Sequence, residues 1–218
     1  MPPGRGPEFD PAAVFPTDDC RNVLLVRFLV ASQSLAAIAR LPRLLPDGYA
    51  LEESRLFLMV LSVGAANEAA LAFQQADKAG AFQELDKTKW VEPKEPLARL
   101  RVDANHKADD SLRSKIIRTT RNTLGFHWDP AVIKGSLEAL GGHMVPAWLG
   151  DGGEAVADNA IPLVSVVILD ALKRGAGSKE ELDRLIAEVA RFQGDCFHVA
   201  HAAFTLALRR SGVGAGAV

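Results

Sequence analysis

Residues 121–130 read RNTLGFHWDP, and this stretch decides how the middle of the chain folds. Apolar residues recur at helical spacing before it, which predicts an amphipathic helix over residues 108–124. Gly125 weakens a helix, and the Asp-Pro pair that closes the stretch is typical of a helix start. A second helix is therefore predicted over residues 130–140, so the stretch forms the corner between two helices.

The rest of the chain also carries the patterns of helices. The further predicted helices cover residues 18–41, 51–79, 81–90, 155–173 with a break at Pro162, and 178–210. Ser178 followed by Glu181 is a capping box, which gives the last of them a clear start. Residues 92–96 contain two prolines and indicate a linker. No segment supplies partner strands, so we expect an all-α fold, an irregular up-down helical bundle of about six or seven helices.

The chain has 218 residues, which is enough for one sizeable hydrophobic core. We expect residues 18–210 to form a single all-α domain. Residues 1–17, rich in proline and glycine, are expected to be a flexible N-terminal segment, and residues 211–218 a disordered tail.

Composition places the protein among ordinary globular chains. The formal net charge is -2, so no global basic field indicates nucleic acid, and any such binding must come from a local patch. Cys20 and Cys196 form no C-x-x-C pair, which favours a reduced, cytoplasmic setting. No apolar run reaches the roughly 18 residues of a membrane span, and the N-terminus lacks the apolar core of a signal peptide. We therefore expect no membrane partner.

The corner between the two central helices has the chemistry of an anion site. Basic residues from Lys107 to Arg121 lie mostly to one side of the first helix, and His127 lies just before the next helix begins. Unpaired N–H groups and the positive end of the dipole make a helix N-terminus favourable for a phosphate.

Arg121, Asn122 and His127 also give the chain a family resemblance. An arginine, a polar residue and a histidine, with five residues between Arg121 and His127, resemble the motif of the HEPN superfamily (higher eukaryotes and prokaryotes nucleotide-binding). The resemblance covers residues 20–145 at most. It implies an all-α, metal-independent endoribonuclease that needs no cofactor. It also implies a homodimer whose two motifs face each other, often in toxin-antitoxin or phage-defence systems, where an antitoxin protein is a partner.

The resemblance gives the motif residues their expected roles. Arg121 would hold the scissile phosphate of RNA and stabilise the charge that builds there. His127 would move a proton to or from the reacting oxygens, and Asn122 would orient the phosphate or the imidazole. Glu68 and Arg118 are expected to support this catalytic set.

Three further residues are expected to bind RNA around the motif. Lys107 and Lys115 could contact the phosphate backbone, and Trp128 could stack on a base. The same residues also fit a plain structural interpretation, in which Arg121 is a surface residue and His127 with Trp128 packs the start of a helix. The alternative function is therefore a non-catalytic helical module that binds a partner protein or a nucleotide.

The last helix offers a second, weaker constellation. Possible metal ligands occur at short spacing here, and a metal site is therefore one interpretation. They are Asp195, Cys196, His198 and His201. Cys196 and His198 point to different sides of a helix, and no second ligand pair occurs elsewhere in the sequence. Packing in the core or at an interface is the favoured interpretation, and we expect no metal.

Overall fold

The computed structural model describes residues 9–40, 49–105, 107–121, 134–135, 138 and 177–212. These parts of the chain contain seven helices and no strand, which confirms the all-α prediction. The helices are α1 (Pro11–Val14), α2 (Cys20–Arg40), α3 (Tyr49–Lys78), α4 (Gln83–Lys87), α5 (Lys94–Asp103), α6 (Leu112–Arg121) and α7 (Lys179–Arg210). The helices predicted over 130–140 and 155–173 lie outside the described residues, apart from residues 134, 135 and 138, which are helical.

Helix α5 is where the sequence interpretation was wrong. Residues 92–96 were expected to be a linker, yet Pro93 is the N-cap and Pro96 lies in the first turn of α5. The first turn of a helix has no intrahelical acceptor for its N–H groups, so a proline there removes no hydrogen bond. Proline therefore starts this helix instead of ending one.

Three phenylalanines from α2, α3 and the turn before α4 form the centre of the core. Phe28, Phe73 and Phe82 are each at most 1% exposed. Their ring centroids lie 5.0 to 5.5 Å apart, with Phe28 edge-on to both of the others and Phe73 stacked on Phe82. Edge-on and stacked aromatic pairs stabilise a core beyond the area they bury. The core thus fixes α2 and α3 against each other.

Helix α7 is the long helix on which the other elements assemble. Its start agrees with the predicted cap, because the Ser178 hydroxyl oxygen accepts a hydrogen bond from the Glu181 N–H at 3.1 Å. The helix continues without a break through Gly194. Helix α5 packs on it antiparallel, since Arg99 meets Asp195 while Asp103, one turn later, meets Arg191, one turn earlier.

The N-terminal segment contributes packed residues. Within the range expected to be flexible, α1 is capped by Asp10, whose carboxylate accepts the Ala12 N–H at 2.9 Å. Val14 is 1% exposed. The rings of Phe9 and Phe15 lie 5.7 and 6.1 Å from the ring of Phe204 on α7.

Among the described residues, α2 is long and apolar enough to cross a membrane by length and composition. Core helices of globular proteins and signal sequences meet the same criterion. Here Phe28 and Leu35 are fully buried against the bundle, while Val23 and Val30 lie on the outside.

Candidate functional site

Helix α6 leads directly to the RNA-cleavage motif predicted from the sequence. Its last residue is Arg121, the first residue of that motif. Asn122, His127 and Trp128 lie outside the described residues, as do the side chains of Arg118 and Arg121. What the structure contributes is therefore the scaffold that positions α6.

The start of α6 is fixed by a buried cap. Ser111 is 1% exposed, and its hydroxyl oxygen accepts a hydrogen bond from the Ser114 N–H at 3.1 Å. Leu112 and Ile116 are each 1% exposed and belong to the central core. A capping serine satisfies an otherwise unpaired N–H group, and the two apolar side chains fix the rotation of the helix. The solvent face of α6 is thereby determined as well.

Two long polar side chains tie α6 to its neighbours. Arg113 donates from Nη1 to Gln74 Oε1 of α3 at 2.9 Å. The Lys115 ammonium lies 2.8 and 2.9 Å from the two carboxylate oxygens of Glu188 on α7. Lys115 was predicted to bind RNA, and here its charge is engaged by Glu188. Lys107, also predicted to bind RNA, is exposed in the turn before α6.

Glu68 was predicted to support the arginine of the motif. Its carboxylate is 64% exposed and lies 3.9 Å from the Arg27 guanidinium of α2. Burial lowers the pKa of Arg113, and the charge of Glu68 opposes that lowering. Among the described side chains, the ion-pair partner of Glu68 is Arg27 of α2.

Asn67, the neighbour of Glu68, turns a polar atom into the bundle. Its side-chain oxygen is buried and has no hydrogen-bond partner among the described residues. A buried acceptor without a donor costs about 1–3 kcal/mol. The middle of α3 thus offers an acceptor as well as a carboxylate.

Sequence reasoning missed a group of ion pairs between α5 and α7. Arg99 donates to both carboxylate oxygens of Asp195, at 2.9 and 2.6 Å, and Arg191 donates to Asp103 at 2.8 Å. Asp195 and Asp103 are 3% and 7% exposed. Burial raises the pKa of Asp103, and the nearby Arg191 opposes the rise. No local pattern marks these residues, because each of them resembles an ordinary surface charge in the sequence.

The four residues of α7 considered as metal ligands do not converge on one point in the structure. Asp195 is paired with Arg99, and burial raises the pKa of the Cys196 thiol. His198 and His201 are exposed on the opposite side of α7, around the ring of Phe197. Within the described residues, no group of three or more His, Cys, Asp and Glu side chains could hold a metal ion.

A cleft of about 180 Å³ lies between the start of α2, the α3–α4 turn and the end of α7. Two ion pairs line it, Asp19 with Arg21 at 2.7 Å and Glu84 with Arg210 at 3.1 Å. These arginines are satisfied by carboxylates of the protein itself. Among the described residues, helix α6 does not contribute to the lining.

Comparison with known protein families, with curated proteins and with solved structures found no match. The fold is an all-α bundle in which polar contacts join α3, α5, α6 and α7. We call these contacts the polar seam; they are the pairs Gln74–Arg113, Lys115–Glu188, Asp103–Arg191 and Arg99–Asp195. The resemblance to the HEPN superfamily rests on Arg121, Asn122 and His127.

Proposed function

We propose that the protein is a metal-independent endoribonuclease of the HEPN type, with Arg121, Asn122 and His127 as its catalytic set. The observation that carries the proposal is the position of the motif at the end of α6, a helix held by a buried cap, by the core and by contacts to two neighbouring helices. Phosphoryl transfer needs its groups held in place, and an anchored helix end meets this need.

The chemistry follows from the residue types. His127 takes the proton of the ribose 2′-OH, whose oxygen then attacks the adjacent phosphorus. Arg121 donates two N–H groups to the phosphate oxygens and neutralises the charge that builds on them. The bond to the 5′ oxygen breaks, and that oxygen takes up a proton. The products are a 2′,3′-cyclic phosphate and a 5′-hydroxyl end.

The reaction needs a base that takes the proton of the 2′-OH and an acid that protonates the leaving 5′ oxygen. One imidazole cannot be base and acid in the same step, so a second copy of the chain would supply the second group. The proposal therefore includes a homodimer, with RNA as substrate in the cytoplasm. A toxin-antitoxin or phage-defence role, with an antitoxin partner, belongs to the same proposal.

The test is cleavage of a labelled transfer-RNA pool by the purified full chain in EDTA. Wild type should cleave and leave 2′,3′-cyclic phosphate ends, while Arg121→Ala and His127→Ala should each lower the rate at least about hundredfold. Arg40→Ala, a change at the exposed end of α2, is the control and should cleave as wild type does. Cleavage that survives both motif substitutions, or no cleavage by folded wild type, would refute the nuclease and leave the non-catalytic binding module.

A further inference from the structure

The outer side of α7 changes its charge after the first turns of the helix. Glu180, Glu181 and Asp183 make the beginning acidic. Between Arg184 and Arg210, a range that the structure describes completely, the exposed residues include no carboxylate. These exposed residues are Arg184, Ala187, Ala190, Arg191, Gly194, Phe197, His198, His201, Arg209 and Arg210. The outer side of this part of α7 is therefore basic and aromatic, although the whole chain has a net charge of -2.

The two acidic residues within this range are engaged by neighbouring helices. Glu188 binds the ammonium group of Lys115 on α6. Asp195 is 3% exposed and accepts two hydrogen bonds from Arg99 on α5. Both carboxylates thus belong to the polar seam, and positive charge is left in excess on the outer side of α7.

Arginines and one histidine follow one flank of α7. Arg184, Arg191 and His198 are seven residues apart, and Arg209 comes eleven residues after His198. Seven and eleven residues are close to two and three helical turns, so these side chains lie in one line, which we call the basic stripe. Arg191 donates to Asp103, and its side chain is still 48% exposed. From Arg184 to Arg209 the basic stripe is about 38 Å long, at a rise of 1.5 Å per residue.

Three rings lie beside the middle of the basic stripe. Phe197 is 51% exposed, and its ring is nearly parallel to the imidazole of His201, with an interplanar angle of 8° and centroids 6.3 Å apart. His198, a member of the stripe, meets Phe197 edge-on at 5.9 Å. We call these three rings the aromatic platform. Exposed rings of this kind are the surfaces on which proteins stack unpaired nucleobases.

We infer that the outer side of α7 binds single-stranded RNA, with the basic stripe along the phosphates and the aromatic platform against the bases. A polyanion complements the excess of positive charge. A single strand complements the rings, because a base can stack on a side chain only when it is free of the duplex stack. An apolar protein surface would complement the rings but not the arginines. Arginines next to stacking rings are typical of proteins that bind single strands with little sequence preference.

The basic stripe lies on the side of α7 that is next to α6. Glu188, which binds Lys115, lies between Arg184 and Arg191 in the chain and on the adjacent flank of the helix. A strand bound along the stripe would therefore pass close to α6, the helix that leads to the RNA-cleavage motif. Because Lys115 is engaged by Glu188, the stripe takes over the phosphate contact predicted for that lysine. The choice of RNA as the nucleic acid rests on the proposed function, whereas the surface itself requires no cleavage.

The first test measures binding of a fluorescein-labelled single-stranded oligoribonucleotide of about 12 nucleotides by fluorescence anisotropy. The full chain carries His127→Ala, so that the probe is not cut. Phe197→Leu keeps an apolar side chain but removes the ring, and it should raise the dissociation constant at least about fivefold, while Phe197→Trp should bind as tightly as the parent. Val30→Ala is the control, since Val30 is 61% exposed on the outside of α2. Absence of binding, or binding indifferent to Phe197→Leu, would overturn the inference.

The second test measures the contribution of the basic stripe through the salt dependence of binding. Arg184→Gln should reduce the slope of the logarithm of the association constant against the logarithm of the salt concentration by about 0.7, because one phosphate contact of a single strand is lost. Arg40→Gln, at the exposed end of α2, is the matched control and should leave the slope unchanged. Equal slopes for Arg184→Gln and the parent would refute the stripe.

The third test uses the same probe annealed to its complement. The bases of a duplex are paired and stacked on each other, so Phe197→Leu should weaken binding of the single strand and leave binding of the duplex unchanged. A loss of the same size for both forms would contradict stacking on unpaired bases. All three tests measure binding by a chain that cannot cleave, whereas the nuclease is tested by cleavage, so the surface and the nuclease can fail separately.

Discussion

Replacing Arg99 should destabilise the protein more than neutralising its partner Asp195. The two side chains form two hydrogen bonds, at 2.9 and 2.6 Å, between α5 and α7. The Arg99 side chain is 35% exposed, whereas the Asp195 side chain is 5% exposed. The carboxylate is therefore the buried partner, and the guanidinium reaches water.

This difference in burial sets the expected magnitudes. Arg99→Met leaves the charge of Asp195 inside the protein without its ion-pair partner, which costs about 3–5 kcal/mol. Asp195→Asn removes the buried charge and leaves Arg99 with water and with Glu95, to which it also donates. That change should cost about 1.5–3 kcal/mol, the range for a hydrogen bond to a charged group. The double variant Arg99→Met with Asp195→Leu should lie close to wild type, since it buries apolar groups where a charge pair had to be desolvated.

The assay is urea unfolding followed by helical circular dichroism. Arg101→Met is the matched control on the same helix, because the partners of Arg101 are Asp77 and Asp86, which are 26% and 43% exposed. Its cost should be about 1 kcal/mol or less, as for other exposed ion pairs. If Asp195→Asn lowered the free energy of unfolding as much as Arg99→Met, the argument from burial would be wrong.

Two further changes test the core and the electrostatics by the same measurement. Phe73→Ala should lower the free energy of unfolding by about 3–5 kcal/mol, because it empties the centre of the aromatic cluster. Val30→Ala on the surface is the control and should change the free energy of unfolding by about 0.5 kcal/mol or less. Equal effects of the two substitutions would contradict the position of the core. Hydrogen bonds from Arg101 lower the pKa of Asp86, so the contribution of this carboxylate to stability is present above its unfolded pKa of about 3.9 and is lost as the pH falls through its folded pKa. Asp86→Asn should therefore reduce stability at pH 7 and leave it unchanged at pH 2, and a deficit that persisted at pH 2 would show that the carboxylate charge is not the cause.

Local patterns were sufficient to predict most of the helices that the structure describes. The apolar period of α2 and the cap at Ser178 depend on residues within one or two turns of each other, so the sequence contains what determines them. Helix α5 was missed because Pro93 and Pro96 were interpreted as helix breakers. Whether a proline breaks or starts a helix depends on which turn it occupies, and the tertiary contacts of Leu97 and Leu100 decide that here.

The surroundings of the candidate site were less accessible to sequence reasoning. The motif from Arg121 to His127 is visible as a pattern, but the contacts that hold α6 join residues far apart in the chain. Lys115 and Glu188 are separated by 73 positions, and Arg99 and Asp195 by 96. Each of these residues resembles an ordinary surface charge until the helices are packed. Their pairing is a property of the register between helices, which no local pattern encodes.

The polar seam determines the register of α7 against α5 and α6. Glu188, Arg191 and Asp195 give α7 the order negative, positive, negative, at intervals of three and four residues, against Lys115, Asp103 and Arg99. A slip of α7 by one turn would bring Asp195 to the place of Arg191, opposite Asp103, and Arg191 to the place of Glu188, opposite Lys115. Apolar stripes alone tolerate such a slip, since leucine and alanine pack against many neighbours. Bringing the two buried carboxylates Asp103 and Asp195 together opposes such a slip, and we infer that the ion pairs select one packing of the helices. Because Lys115 belongs to this series, the same charges that set the position of α7 also set the position of α6, and with it the helix end at Arg121.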